Sequence, residues 1–153
     1  QLHVGGINHG ENLFMFAKHK ASGFEPGKIY TLSFDISLLA SITTDVPSDS
    51  LRFKVGASVI EPMPIINNRF YTLNIDKGNE NTDGSNMVLI GSIVPNNSLN
   101  TFKVSNASSN YNASYKTTAD SNGNLWIIVG VDVPKGAQAD VYFSSIKIVV
   151  STS

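Results

Sequence analysis

The stretch Lys28–Leu38, KIYTLSFDISL, decides the fold class of this chain. Every second residue of it is apolar, namely Tyr30, Leu32, Phe34, Ile36 and Leu38. The four positions between them are Thr, Ser, Asp and Ser. Because successive side chains of a β-strand point to opposite faces, this period of two predicts a strand with one buried face and one wet face.

Similar short segments follow along the whole chain, and no stretch has a helical period. The further strands are predicted at Leu13–Ala17, Leu51–Ala57, Arg69–Ile75, Met87–Val94, Tyr111–Thr117, Leu125–Val133 and from Asp140 onward. The apolar parity switches at Ser144–Ser145, which predicts a β-bulge there. We therefore predict one all-β domain over residues 1–153, a two-sheet antiparallel β-sandwich of jelly-roll type with eight or nine strands.

Some strands carry more specific expectations. The runs Met87–Val94 and Leu125–Val133 are almost continuously apolar, which predicts central strands covered on both faces. Leu13–Ala17 is also apolar on both faces, and we expect it to pair with the 28–38 strand. In Arg69–Ile75, the alternation predicts that Tyr71 points inward.

Composition excludes several classes of protein. The 153 residues are 41% hydrophobic and 15% charged, with a net charge of −1 and no cysteine. This balance is that of a folded domain, and no basic patch is present that would neutralise nucleic-acid phosphates. Thiol chemistry and disulfides are absent, and no apolar run has the length of a membrane span. We therefore expect no nucleic-acid partner and no membrane span.

The polar loop at residues 76–84 gathers oxygen-bearing side chains at Asp76, Asn79, Glu80 and Asp83. Carboxylate and amide oxygens are the ligands that calcium prefers, so these four residues are the candidate metal ligands. Their spacing does not match an EF-hand, and solvated loops are commonly rich in such residues. We expect no cofactor, with calcium at this loop as the alternative.

Aromatic side chains are the candidates for ligand binding, because flat rings stack on sugar faces. Tyr111 and Tyr115 share one face of a polar segment, and Trp126 lies within an apolar run. The surroundings of Trp126 favour packing in the core, whereas those of the two tyrosines favour exposure. These three residues are the candidate glycan contacts.

Catalytic signatures are missing from the sequence. No serine lies in a G-x-S-x-G motif, and the carboxylates lie mostly in loops, with Asp35 alone in the middle of a strand. We expect no enzymatic activity. A carboxylate-dependent glycoside hydrolase remains an alternative, because carboxylates that pair across strands are invisible in a sequence.

Several stretches together resemble a family of uncharacterised bacterial exported β-sandwich proteins. They are NLFMFAK (12–18), GFEPGKIYTLSFDI (23–36), KVGASVIEP (54–62), LNIDKGN (73–79), MVLIGSI (87–93) and TTADSNGNLWIIVGVD (117–132). GFEPGKIYTLSFDI and VYFSSIKIVV (141–150) are also similar to the early and closing strands of galactose-binding-like and carbohydrate-binding jelly rolls. The resemblance implies a protein that is secreted, periplasmic or on the bacterial cell surface.

The leading hypothesis is therefore an exported, non-catalytic module that binds a glycan or a cell-surface partner. The alternative is a structural or assembly protein of the cell envelope that acts by self-association or by pairing of strand edges. The chain starts at Gln1 without an initiator methionine, so we expect a processed product.

Overall fold

The computed structural model describes residues 2–11, 13–46, 49–93 and 103–152, and at 103–111 it describes the backbone alone. The described residues form ten β-strands and no helix. The strands are β1 (Leu2–Ile7), β2 (Leu13–Ala21), β3 (Ile29–Thr44), β4 (Leu51–Ser58), β5 (Pro64–Asn67), β6 (Phe70–Leu73), β7 (Met87–Ile93), β8 (Lys103–Thr118), β9 (Leu125–Val133) and β10 (Gln138–Thr152).

Eight of these strands form two antiparallel sheets of four. One sheet has the order β1-β10-β3-β8 and the other β2-β9-β4-β7. Along the chain the eight strands alternate between the sheets except at β4 and β7, which lie side by side in one sheet. This order is that of an eight-stranded jelly roll built from two Greek keys. The predicted all-β two-sheet sandwich is confirmed. A separate hairpin of β5 and β6 adds two short strands to the eight.

The core lies between the two sheets, and strand alternation builds it. The strand β3 buries every second side chain from Tyr30 to Thr44, as the period of two predicts. Opposite it, β4 contributes Phe53 and Val55, and β9 contributes Val129 and Val131 to the same cluster. Because each strand gives one face to this layer, the opposite faces of both sheets remain for solvent or for other parts of the chain.

The predicted bulge in the last strand is confirmed. The pairing of β10 with β3 shifts register between Phe143 and Ser145, where one extra residue enters β10. The side chain of Ser144 donates a hydrogen bond to the carbonyl of Ser37 across the bulge, at 3.0 Å. The bulge therefore explains why the apolar parity of this strand changes halfway.

Two predictions about strand neighbours are wrong. The strand β2 pairs with β9 and lies in the sheet opposite β3, and β7 is an edge strand of its sheet. Neither strand is apolar on both faces because of a central position beside β3 or within its sheet. Residues 59–86 cross the outer face of the β2-β9-β4-β7 sheet and cover part of it, so that Ile75 of this segment packs with Met87 and Ile128.

Candidate functional site

A groove of about 620 Å³ lies between the outer face of the β2-β9-β4-β7 sheet and the segment that crosses it. Its walls come from three places: the start of β2, the β5–β6 hairpin and the loop at residues 77–82. The lining residues are Phe14, Phe16, Pro64, Tyr71, Thr72, Leu73, Lys77, Gly78, Asn79, Glu80, Asn81 and Thr82. Two walls are largely apolar and the third is polar, a combination that is typical of sites for small ligands.

The β5–β6 hairpin forms one wall of the groove. Tyr71 lies directly opposite Ile66 in the hairpin register, and its side chain is 77% exposed. The prediction that Tyr71 points inward is therefore wrong. The hairpin stands away from the sandwich and presents this ring to the groove instead. The next residue back, Phe70, lies on the other face of the hairpin and is 74% exposed.

The floor of the groove is aromatic. The rings of Phe14 and Phe16 stack with their centroids 5.8 Å apart and an angle of 20° between their planes. Phe14 lies against Gly130 of β9, where a Cβ atom would come within 2.3 Å of the Phe14 ring. The ammonium of Lys77 lies 5.0 Å from the centre of the same ring. The absence of a side chain at position 130 therefore leaves room for this ring.

The polar loop folds around a buried ammonium. Lys54 points to the outer face of β4, and its side chain is 0% exposed. Its Nζ donates hydrogen bonds to the carbonyl oxygens of Lys77, at 2.7 Å, and of Thr82, at 2.9 Å, and to that of Asn79. All three donor positions of the ammonium are thus used by one loop.

One buried carboxylate balances two ammonium groups behind this loop. Asp132 Oδ1 accepts a hydrogen bond from Lys77 Nζ at 2.9 Å, and Asp132 Oδ2 lies 3.8 Å from Lys54 Nζ. Burial lowers the pKa of Lys54, and the negative charge of Asp132 opposes this shift. Asp132 Oδ2 is buried without a hydrogen-bond partner, so its interaction with Lys54 is one of charge alone.

The four candidate metal ligands are engaged within or beside the loop. Asp76 accepts hydrogen bonds from the amides of Gly78 and Ser85, and Asp83 accepts one from the amide of Leu89. The other two differ in role: the backbone carbonyl of Asn79, and not its side chain, accepts a hydrogen bond from Lys54, and the Glu80 carboxylate lies 3.9 Å from the Arg52 guanidinium. Among the described residues, no three histidine, aspartate or glutamate side chains are grouped as a metal site. Calcium at this loop stays a prediction.

Asp76 closes the loop at its base, and we expect this closure to weaken in acid. Hydrogen bonds from the Ser85 and Gly78 amides lower the pKa of Asp76. Its contribution to stability is therefore fully present above its unfolded pKa and is lost as pH falls through the lower folded value. Amide chemical shifts of Gly78 and Ser85, followed by NMR between about pH 5 and pH 2, should titrate with this group.

The matched variants for this titration are Asp76→Asn and Asp120→Asn. Asp120 closes a different turn by accepting from the amides of Asn122 and Asn124, which likewise lower its pKa. We expect Asp76→Asn to abolish the titration of the Gly78 and Ser85 amides and Asp120→Asn to leave it unchanged. An unaltered titration in Asp76→Asn would contradict the assignment.

Tyr115, one of the two candidate tyrosines, is not among the residues that line the groove. Tyr115 on β8 is half-buried and packs against the main core, and its hydroxyl donates to the Ser85 carbonyl at 2.5 Å. Burial raises the pKa of this hydroxyl. Tyr111 lies on the part of β8 where the backbone alone is described, so its side chain lies outside the described part of the structure. Tyr115 thus joins β8 to the end of the polar loop.

Trp126 lies on the outer face of the sheet, and the expectation that it packs in the core is wrong. The ammonium groups of Lys18 and Lys20 lie 5.6 and 5.9 Å from the centre of its ring. Lys18 also donates to Glu61 at the start of the crossing segment. Trp126 is half-buried on the same sheet face as Phe14 and Phe16, four residue pairs beyond Phe16 along β2 and β9, but it does not line the groove.

The sequence does not reveal the groove residues, because the apolar pattern that contains them also fits a strand in the core. Phe14 and Phe16 alternate with Leu13 and Met15, and a run that is apolar on both faces predicts a strand deep in the sandwich. The run did show that the outer face of β2 is covered in part. Nothing in the sequence indicates that Lys54, a charged residue on a face expected to be wet, is buried by a loop 23 residues away.

Comparison with known proteins found no match, so a function has to be argued from the fold and the groove. No protein-family model matches the chain, and no curated protein matches it either. Among the residues that the structure describes, no helix has the length and apolar character that a membrane crossing needs. The fold and the groove define a jelly-roll sandwich with a partly aromatic, partly polar cleft on one sheet.

Proposed function

We propose that this chain is an exported, non-catalytic module that binds a neutral glycan in the groove beneath the β5–β6 hairpin. Export rests on the resemblance to exported bacterial β-sandwich proteins described above. The glycan rests on one observation, the exposed Tyr71 ring facing an aromatic floor with amide and hydroxyl groups beside it. The groove volume of about 620 Å³ lies within the usual range for ligand sites.

The walls of the groove match the two kinds of surface that a sugar ring has. A pyranose ring has apolar C–H faces and a rim of hydroxyl groups. Tyr71 on one side, and Phe14 and Phe16 on the other, offer apolar surface to the faces. Asn81 and Thr82 offer donors and acceptors to the rim. The combination of apolar and polar walls supports a glycan over a wholly apolar ligand.

The charges around the groove support a neutral sugar. Lys77 pairs with Asp132 at 2.9 Å, and Glu80 lies 3.9 Å from Arg52. A uronic acid or a sulfated sugar would have to compete with Asp132 for the Lys77 ammonium. Since screening by salt acts mainly on exposed unpaired charges, we expect binding to be nearly independent of ionic strength.

The acidic groups at the groove support a binding role over a hydrolytic one. Glycoside hydrolysis needs two carboxyl groups on either side of the scissile bond, separated by about 5–10 Å. Among the described lining residues, Glu80 is the one carboxylate, and it already faces Arg52. Asp132 lies behind the loop, paired with lysines.

Replacing Tyr71 with alanine should reduce glycan affinity roughly tenfold, about 1.4 kcal/mol, because one stacking surface is lost. The ligand is first identified on a glycan array with the unmodified chain, and its affinity is then measured by isothermal titration calorimetry. Because Tyr71 is almost wholly exposed, its removal should leave the thermal unfolding temperature unchanged.

Phe70→Ala is the matched control for this measurement. Phe70 is adjacent on the same strand and about equally exposed, but it does not line the groove. We expect its glycan affinity to equal that of the unmodified chain. Equal losses in both variants would refute the placement of the ligand, and an array without any hit would remove the glycan from the proposal.

Exposed apolar residues of the hairpin favour a second candidate function, self-association in an envelope assembly. Ile65 and Phe70 share one face of the hairpin, both are exposed, and neither lines the groove. Apolar side chains on a projecting hairpin are typical of protein contacts. Sedimentation velocity over a range of concentrations tests this: Phe70→Ala should weaken any association, and a chain that remains monomeric throughout counts against it.

A further inference from the structure

The loop at residues 77–82 has the geometry of a cation-binding loop whose cation belongs to the protein. Within six residues, three backbone carbonyls, those of Lys77, Asn79 and Thr82, converge on the single point occupied by Lys54 Nζ. The carboxylate of Asp132 lies 3.8 Å from the same point. Carbonyl and carboxylate oxygens around one positive charge are the arrangement that a hard metal ion would otherwise require.

The same residues form the polar wall of the groove. Lys77, Asn79 and Thr82 each give a carbonyl to Lys54, and each also lines the groove. The ammonium therefore lies directly behind the wall that carries the amide and hydroxyl groups. Its position in the loop sets where those groups stand relative to Tyr71 and the aromatic floor.

We propose that Lys54 is the built-in cation of this loop and a positioning residue for the ligand groove. It takes the place of a bound metal ion, so the loop keeps its shape without one. The effect on the ligand rests on the proposed function, whereas the ordering of the loop stands independently of it. The charged neighbours of the ammonium are Asp132 of β9 and, from the loop, Lys77, Asp76 and Asp83.

The physical reason is repulsion among the carbonyl dipoles. Three carbonyl oxygens that point at one another without a cation or donor between them are buried, unsatisfied acceptors, each of which is costly. Without the ammonium, the loop has to turn these groups toward water, and the groove wall changes with it. Lys54 lies on the outer face of the sheet, so the core between the sheets is untouched.

The test is chemical rescue of Lys54→Ala by n-propylammonium, which replaces the missing part of the side chain and its charge. Hydrogen exchange of the loop amides at Thr82, Gly84 and Asn86 is the measurement. We expect exchange at least roughly tenfold faster in Lys54→Ala, because local opening becomes easier. Millimolar n-propylammonium should restore the slow rate and the glycan affinity together, and calcium or a chelator should have no effect on the unmodified chain.

Two controls test whether rescue needs the positive charge or only the volume of the added molecule, and whether the effect is specific to Lys54. 1-Propanol fills the same space without the charge and should not rescue. Lys20→Ala removes a lysine from the same face of the sheet on β2, where the ammonium lies near Trp126 instead of the loop. Its loop exchange should match that of the unmodified chain. Equal rescue by 1-propanol, or slow loop exchange in Lys54→Ala, would overturn the proposal.

Two further measurements test the proposal even if Lys54→Ala does not fold or no glycan binds. If Lys54→Ala does not fold, NMR of the unmodified chain decides. The ammonium protons of Lys54 should exchange slowly and couple to the carbonyl carbons of residues 77, 79 and 82, and a freely exchanging ammonium overturns the inference. If rescue of loop exchange succeeds but no glycan binds, the proposed function fails while the role of Lys54 stands.

Discussion

Replacing Asp132 with alanine should destabilise the protein by about 3–5 kcal/mol, because it leaves a buried ammonium without its counter-charge. Lys54 has no exposed surface, and Asp132 is the carboxylate nearest to it, at 3.8 Å. Lys77 loses its 2.9 Å partner in the same variant. Chemical denaturation at neutral pH, with the midpoint and slope compared between variants, gives the change in the free energy of unfolding.

Glu61→Ala is the control, because it breaks an ion pair on the same sheet face that is open to solvent. Lys18 and Glu61 are 2.9 Å apart, with side chains 31% and 44% exposed. Exposed pairs contribute about 0–1 kcal/mol, and Lys18 keeps the Pro62 carbonyl as an acceptor. A loss below about 1 kcal/mol in Asp132→Ala as well would show that Lys54 does not depend on this carboxylate.

The second large effect is expected from Gly56→Ala in β4. A Cβ atom at this position would lie 1.8 Å from the carbonyl oxygen of Asn86 and 2.7 Å from the Cα of Met87. Both are backbone atoms at the point where the crossing segment joins β7. The clash therefore cannot be relieved by the rotation of a side chain. We expect the free energy of unfolding to fall by about 3 kcal/mol. Replacing glycine with alanine inside a strand normally has the opposite effect and stabilises the protein.

The comparison for this variant is Gly10→Ala. Gly10 lies in a bend after β1, and a Cβ atom there would meet nothing within 4 Å. Its thermal unfolding temperature should remain that of the unmodified chain. If Gly56→Ala unfolds at the same temperature as Gly10→Ala, the crossing segment is not held as closely to β4 as the structure indicates.

The sandwich was predictable because local periodicity encodes which face of a strand is buried. The alternation from Tyr30 to Leu38 and the change of parity at Ser144 both correspond to observed features of β3 and β10. Strand neighbours were not predictable in the same way. Apolar residues on both faces of β2 and β7 indicate burial on two sides, but they do not say whether a sheet or a crossing segment provides the cover.

The candidate site was not predictable, because its parts come together through the fold alone. Phe14, Lys54, Tyr71 and Asp132 lie on four different elements, and no local pattern links them. Lys54 occupies a place in the alternation of β4 that normally faces water. The oxygen-rich sequence of the polar loop predicts a place for a cation, and in the structure that cation is the ammonium of Lys54 from β4.

The crossing segment leaves and rejoins the sandwich at two strands that pair with each other, since Gly56 of β4 lies opposite Met87 of β7. Residues 59–86 are therefore a long connection within what would otherwise be a plain hairpin. Its length and sequence are free to diverge while the eight strands keep their pairing, because insertions between adjacent strands disturb few other contacts. The connection can therefore be replaced by another sequence on one unchanged set of eight strands, which would alter the groove walls that the β5–β6 hairpin and the loop at residues 77–82 provide.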